Sequence, residues 1–351
     1  MSRTRKLWSV EEAGAWHDRQ PWLVGCNFIP STAINQLEMW QGATFDPETI
    51  DRELRWAGDI GYNAVRVFLH DLLWQQDREG FLQRAGRFLE IANRHRIAVM
   101  PVLFDGVWDP FPHPGPQRAP RPHVHNSGWV QSPGVTILSS PSRHDELQDY
   151  VEGTIEHFRD DPRVLAWDLF NEPDNPNIAY GDRETPDKSQ HAAALLAKAY
   201  RWARDAGPTQ PITCGVWRGS WGDLGQAREI ERLALTESDV ISFHSYLGPE
   251  DVLARIRELG RLGRPILLTE YMSRATGSTF EAILPILRRD KIGAFNWGLV
   301  SGKTQTIYPW DSWVRPYTGE PETWFHDVLR PDGTPHRAEE IGLIRRLTGR
   351  Q

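Results

Sequence analysis

VLAWDLFNEP (Val164–Pro173) and PILLTEY (Pro265–Tyr271) each run through apolar residues and then stop at a polar group, Asn171-Glu172 in the first and Thr269-Glu270 in the second. A short apolar run that ends this abruptly reads as a strand buried on both faces of a parallel sheet. Six more runs of the same kind lie at about 22–28, 64–69, 97–104, 211–216, 239–244 and 293–297. With 164–170 and 265–269 they make eight strands. Helical stretches separate most of them. One is marked by Asp46 as N-cap, Pro47 at its first position and Gly61 at its end. Others are predicted over 81–92, 145–158, 190–205, 251–259 and 280–288. Eight βα units in one chain favour an α/β fold of the closed (β/α)8 TIM-barrel type over an open, doubly wound sheet. No glycine-rich phosphate fingerprint follows the first strand, which argues against a dinucleotide site.

The chain has 351 residues, and no linker, low-complexity tract or internal repeat divides it, so 1–351 is read as one domain. A hydrophobic fraction of 39% and a charged fraction of 25% are those of an ordinary globular protein. The net charge of −7 argues against nucleic-acid or anionic-membrane partners, which need a basic surface. No segment approaches the ~18 consecutive apolar residues of a membrane span. In the N-terminal segment, Glu11 and Glu12 arrive before an apolar signal core can form, so the expected location is cytoplasmic. Cys26 and Cys214, both in apolar runs, are expected to be buried thiols.

One connection stands apart. Residues 105 to about 142, rich in proline, histidine and tryptophan, separate the third strand from its helix. Loops beyond ~12–15 residues in a compact domain usually carry function. In a barrel this one lies on the C-terminal face, where active sites sit.

The same face receives whatever follows each strand. It collects Asn27, Arg66, Asn171-Glu172, His244-Ser245-Tyr246, Glu270 and Asn296-Trp297. Strands four and seven lie on opposite sides of an eight-stranded mouth, so Glu172 and Glu270 can face one another. Two facing carboxyl groups are what glycoside hydrolysis needs, one protonated to donate to the leaving oxygen and one ionised to attack the anomeric carbon. Burial and mutual repulsion are expected to raise one pKa, while a cation such as Arg66 holds the other low. The 16 tryptophans suit a surface that binds amphipathic sugars. Trp108, Trp129, Trp217, Trp221 and Trp310 follow strands and count as subsite candidates, although each alone is as compatible with packing. Lys303 and Gln305, in the last strand's loop, are candidate hydroxyl ligands.

NEP at 171–173, HSY at 244–246, TEY at 269–271 and NW at 296–297, in this order and each at a strand end, resemble clan A glycoside hydrolases, particularly the cellulase-like family five. The resemblance spans roughly residues 20 to 310. It implies Glu172 as general acid/base and Glu270 as nucleophile. It implies Asn171 as ligand of the sugar 2-hydroxyl, Tyr246 as hydrogen-bond partner of the nucleophile, and Trp297 as sugar platform. His244 and Arg66 match the clan's strand-six histidine and strand-two arginine. The sequence departs from the pattern at strand three. Many members carry a histidine there, whereas this chain has Phe104-Asp105-Gly106; the loop histidines His113, His123 and His125 are candidates to substitute, and Asp105 counts among the substrate-binding candidates. The loops IPSTAINQLEMWQ (29–41) and GLVSGKTQT (298–306) look like those of bacterial cellulase-like proteins often labelled xylanases.

The expected activity is therefore retaining hydrolysis of β-linked oligosaccharides or glycosides, with a carbohydrate substrate and no cofactor or metal. The loop over 105–142 is expected to wall off one end of the cleft and favour exo action, with an endo-β-glycanase as the alternative. Two readings from other classes stay open. One is a metal-dependent barrel hydrolase built on His70, His244 and the loop histidines His113, His123 and His125. The other is a non-catalytic sugar-binding barrel.

Overall fold

The computed structural model describes residues 4–350. Its eight parallel strands are β1 Val24–Asn27, β2 Ala64–Phe68, β3 Ala98–Asp105, β4 Trp167–Asn171, β5 Ile212–Thr213, β6 Ile241–His244, β7 Ile266–Tyr271 and β8 Gly293–Trp297. They pair in the order β5-β4-β3-β2-β1-β8-β7-β6. The seam between β5 and β6 is closed by Val216, whose N–H donates to Ser242 O and whose carbonyl accepts from His244 N. The result is the expected (β/α)8 barrel.

β5 spans two residues rather than the six predicted over 211–216. The Cys214 N–H is taken by the Ser238 hydroxyl at 3.2 Å, so the ladder with β4 stops after Thr213. Gly25 in β1 shows how tightly the strands approach, because a Cβ there would lie 1.7 Å from Ala64 O.

The Pro47–Ile60 helix has the predicted ends. Asp46 accepts from Thr49 N at 3.0 Å, and Gly61 closes the helix at φ 107°. The next helix covers Asp71–Arg94, twelve residues more than the 81–92 expected. It bends at Asp77 (φ −161°), and the polar run around that bend hides the helical period. The segment predicted as helix over 145–158 starts as a 3-10 turn, Pro141–Leu147, before the α-helix Gln148–Phe158. Besides the short helical turns Gln36–Trp40 and Val135–Leu138, three longer helices had no sequence prediction: Val10–Arg19, Glu229–Glu237 and Ala338–Thr348. The first is held by a Ser9/Glu12 capping box. Its Ala13 and Trp16 pack with Leu23, Ala64, Met100, Leu165, Leu267 and Phe295, so this helix plugs the N-terminal end of the barrel. Only the C-terminal mouth is left to open outward.

No helix among the described residues is long and apolar enough to cross a membrane. Cys26 and Cys214 are buried free thiols.

Candidate active site

Arg66 organises the mouth. It sits in the middle of β2, fully buried, and every donor is engaged. Nε donates to Asp168 Oδ2 at 2.9 Å, and Nη2 lies 2.8 Å from the same oxygen. Nη1 donates to Asn27 Oδ1 at 2.8 Å and Glu270 Oε1 at 2.9 Å. Nη2 also donates to Asn171 Oδ1 at 2.8 Å. A buried cation is tolerable only when paired in this way. Asp168 was not singled out from the sequence. Its signal was an aspartate in the middle of the apolar run VLAWDLF.

Glu172 leaves β4 in a left-handed conformation, φ 39°. The turn is packed against Gly106, where a Cβ would lie 2.3 Å from Glu172 O, so glycine is required there. Glu172 Oε2 accepts from Asn175 Nδ2 at 2.7 Å, and Oε1 lies 2.8 Å from His244 Nδ1. Burial raises the Glu172 pKa to about 7. Burial also holds His244 down to about 4, so the imidazole is neutral.

Glu270 ends β7 on the opposite side. Burial pushes its pKa up as well and the Glu172 carboxyl adds to this, while the Arg66 guanidinium and the Tyr246 hydroxyl pull the other way. Tyr246 donates to Oε2 at 2.8 Å. The expectation that a cation such as Arg66 would hold one of the two carboxyls low needs correcting, since both are raised and burial outweighs the cation at Glu270. The two glutamates nevertheless differ in kind. Glu270 is hydrogen-bonded to a permanent cation and a hydroxyl donor, whereas the hydrogen-bond partners of Glu172, Asn175 and His244, are neutral.

One carboxylate oxygen from each glutamate and a nitrogen of His244 all lie within 4.8 Å of one another. Among the described residues this is the one His/Cys/Asp/Glu cluster with metal-ligand proximity. Its donor set suits a metal poorly. Nδ1 of His244 is engaged with Glu172, and Glu270 already carries the Arg66 cation 2.9 Å away. Apart from His244, the histidines of the metal-hydrolase reading do not join this cluster. His70 caps the 71–94 helix, accepting from Leu72 N. His113 is exposed. His123 Nδ1 pairs with the Tyr308 hydroxyl and His125 Nδ1 with Tyr308 O, each at 2.7 Å.

Those two histidines belong to a wall. The loop after β3 and the loop after β8 are joined above β1 and β2. His123 N donates to Gln305 Oε1 (2.8 Å), Gln305 Nε2 to Arg121 O (2.8 Å), and Asn126 N to Thr304 O (2.8 Å). His125 N donates to Ser312 Oγ (2.9 Å) and Trp313 Nε1 to His125 O (2.8 Å). Trp108 stacks on Trp313 at 5.3 Å and 11°.

The predicted ligands therefore divide. Arg66, Asn171, Glu172, His244, Tyr246, Glu270 and Trp297 converge on one mouth. Trp297 is set by edge contacts with Phe68 and Trp129. Asn27 and Asp105 reach the same network but lie behind it. Asn27 is buried, spending its amide on Arg66, Thr269 O and Asn296 O. Asp105 is buried beneath Asn171 and Trp129. Gln305 is spent on the wall, and Lys303 Nζ is drawn 2.7 Å from Glu38 Oε1 at its outer edge. Trp108 and Trp217 are half-buried at the rim, the latter donating to Asp174 Oδ1 at 2.9 Å. Trp129 and Trp221 are core residues, and Trp310 is 41% exposed against Tyr246. Asp174 and Asn175, which shape the surroundings of Glu172, escaped the sequence reading although they directly follow NEP.

The eight-stranded α/β barrel is a fold found in solved glycoside hydrolases. Solved structures share it at low sequence identity. GH5_18 from Streptomyces cattleya, in complex with GlcNAc, aligns at TM-score 0.62 and 14% identity, over 94% of this chain and 81% of that one. The exo-β-1,4-mannosidase Op5Man5 from Opitutaceae bacterium strain TAV5 aligns at 0.61 and 20%, over 93% of this chain and 60% of that one. The endo-1,4-β-D-mannanase of Thermotoga petrophila aligns at 0.57 and 15%, over 93% and 99%. No protein-family model and no curated protein matches the sequence.

Proposed function

We propose that this protein is a retaining β-glycoside hydrolase acting on carbohydrate, with Glu172 as acid/base and Glu270 as nucleophile, and that it releases sugars from chain ends. The observation that carries the reading is the approach of the two carboxylates to within 4.8 Å, oxygen to oxygen. Retaining pairs stand about 5–5.5 Å apart, inverting pairs about 6.5–9.5 Å, which leaves room for a water. The Glu270 carboxylate attacks the anomeric carbon while the bond to the leaving oxygen breaks and Glu172 gives that oxygen its proton. Glu172, now ionised, takes a proton from water. That water attacks the same carbon and frees Glu270. A pKa of about 7 suits a group that gives and takes a proton near neutrality.

The wall between the loops after β3 and β8 supports exo action. It bridges the two loops across the sector above β1 and β2, and this reading has a chain enter from the side of β4 to β6. The printed names of the structural neighbours make β-1,4-mannosides a first panel of substrates. Proton NMR of the first product formed from an aryl β-glycoside tests the chemistry. The β-anomer is expected first, and an α-anomer would overturn retention. Product sizing on a soluble polysaccharide tests the cleavage mode. Monosaccharide or disaccharide alone is expected, and early mixed oligosaccharides would favour the endo alternative.

A further inference from the structure

The aspartate that stands at the end of β3 does not touch the mouth, yet its oxygens are not idle. Asp105 Oδ1 accepts from Asn171 Nδ2 at 2.9 Å and Val107 N at 3.2 Å. Oδ2 accepts from Trp129 Nε1 at 2.6 Å and Gln36 Nε2 at 3.0 Å. Three of these donors are framework. The fourth, Asn171, sits between Asp105 and Arg66, immediately before Glu172.

A carboxamide has two ends that resemble each other in size and differ in chemistry. Arg66 Nη2, a permanent donor, requires the oxygen of Asn171 on its side. Asp105, an acceptor when ionised, requires the nitrogen on the other. Turning the amide over would set N–H against guanidinium and C=O against carboxylate, two repulsive contacts in a buried site. Burial lifts the Asp105 pKa only to about 6, so the group is ionised at neutral pH. Neither neighbour alone would be decisive, because Arg66 can spend Nη2 on Asp168 instead.

We propose that Asp105 is a positioning residue that locks the Asn171 amide, so that Asn171 meets the sugar hydroxyl beside the anomeric carbon as a hydrogen-bond donor. Nδ2 carries two N–H bonds. Asp105 takes one, and among the described residues the other has no acceptor. The sugar hydroxyl then accepts from Asn171 and keeps its own proton to donate elsewhere in the site. The inference rests on the hydrolase reading given above. It also accounts for how the chain manages without a histidine at this strand end. A neutral imidazole and a buried carboxylate both accept, but only the carboxylate takes four donors at once.

The test uses the intact protein with an aryl β-glycoside that it cleaves and the 2-deoxy analogue of that glycoside. Asp105→Asn, Asn171→Ala and the double variant are compared with wild type. Asp105→Asn is expected to lower kcat/KM on the parent glycoside about 10- to 100-fold, the size of one misplaced hydrogen bond in a buried site. On the 2-deoxy substrate it should change kcat/KM by less than about 3-fold. It should add no further loss in the Asn171→Ala background. Equal losses on the two substrates, or losses that multiply in the double variant, would assign Asp105 to stability alone and overturn the proposal. Should Asp105→Asn fail to fold, Asp105→Glu is read in the same way, with the same two outcomes. Wild type that turns over no β-glycoside at all would overturn the hydrolase reading itself. Turnover by wild type with equal losses in the variant overturns this inference only.

Discussion

Within two or three residues, the same strands build two different interiors. At the lower end of the barrel, Ala64, Met100, Leu165, Leu267 and Phe295 form an apolar layer sealed by Trp16. One or two pleats further on, β2 supplies Arg66, β4 supplies Asp168 and Asn171, and β7 supplies Glu270. The lower layer gains stability from area removed from water. The upper layer holds four ionisable or amide groups out of water and survives because each is paired. The comparison teaches that this barrel separates its tasks by height: apolar packing below, and above it a charge network whose stability is secondary to its chemistry.

Substitutions that strike one layer and spare the other test that division. The largest effect is expected from Glu270→Ala, which removes the proposed nucleophile. Turnover of an aryl glycoside should fall by on the order of 10⁴-fold or more, with the fold intact by circular dichroism. Retained turnover above a few per cent would place the nucleophile elsewhere. Next comes Glu172→Gln. It should lose about 10²–10⁴-fold on substrates with poor leaving groups and far less on an activated dinitrophenyl glycoside. Equal losses on both would remove its role as acid.

Two stability predictions then set the layers side by side. Arg66→Met leaves Asp168 buried without its cation, at a cost of about 3–5 kcal/mol, and activity should vanish with it. Leu267→Ala opens a cavity in the lower layer at a comparable cost of about 2–5 kcal/mol. Its kcat/KM, measured well below the Tm, should stay within about 2-fold of wild type, because single core substitutions act through stability rather than chemistry. If Leu267→Ala lost activity while still folded, the two layers would be coupled after all.

The smallest effect concerns pH. Burial raises the Glu172 carboxyl from its ordinary value of 4.5 to about 7 in the folded protein. Its folded pKa is raised, so its contribution to stability is fully present below about 4.5 and is lost as pH rises through about 7. Glu172→Gln, neutral at every pH, should therefore raise the Tm at pH 8 relative to wild type and give no gain at pH 4.5. The alkaline limb of the wild-type rate profile should fall through the same region, because the proton to be donated is gone.

Much of the fold was legible along the chain. Parallel strands buried on both faces leave continuous apolar runs, and all eight were visible for that reason. Asp46, Pro47 and Gly61 announced a helix because caps are local chemistry. The helices Val10–Arg19, Glu229–Glu237 and Ala338–Thr348 went unannounced. In the first, Ser9 and Glu12 form a capping box, yet few residues face the core. Glu172 and Glu270 were legible as a pair because strand ends in a barrel share one mouth, whatever the loops do. Asp168 was passed over although it is a charge inside an apolar run, and its meaning depends on Arg66 lying one strand beyond its neighbour.

Side-chain allegiance was not legible at all. Asp105, Gln305 and Lys303 looked equivalent as polar residues in loops of the mouth, and packing sent them to three destinations: beneath Asn171, into the wall, and out to Glu38. His123 and His125 became part of the wall through Tyr308, which is more than 180 residues away in the chain. Residue order and hydropathy were enough for the barrel and for which carboxylates face each other, since both follow from short-range periodicity repeated eight times. How burial shifts each carboxyl, which way the Asn171 amide faces and how the loops after β3 and β8 are joined came from contacts between distant segments. Burial and hydrogen-bond partners set pKa and orientation, and neither exists until the chain has folded.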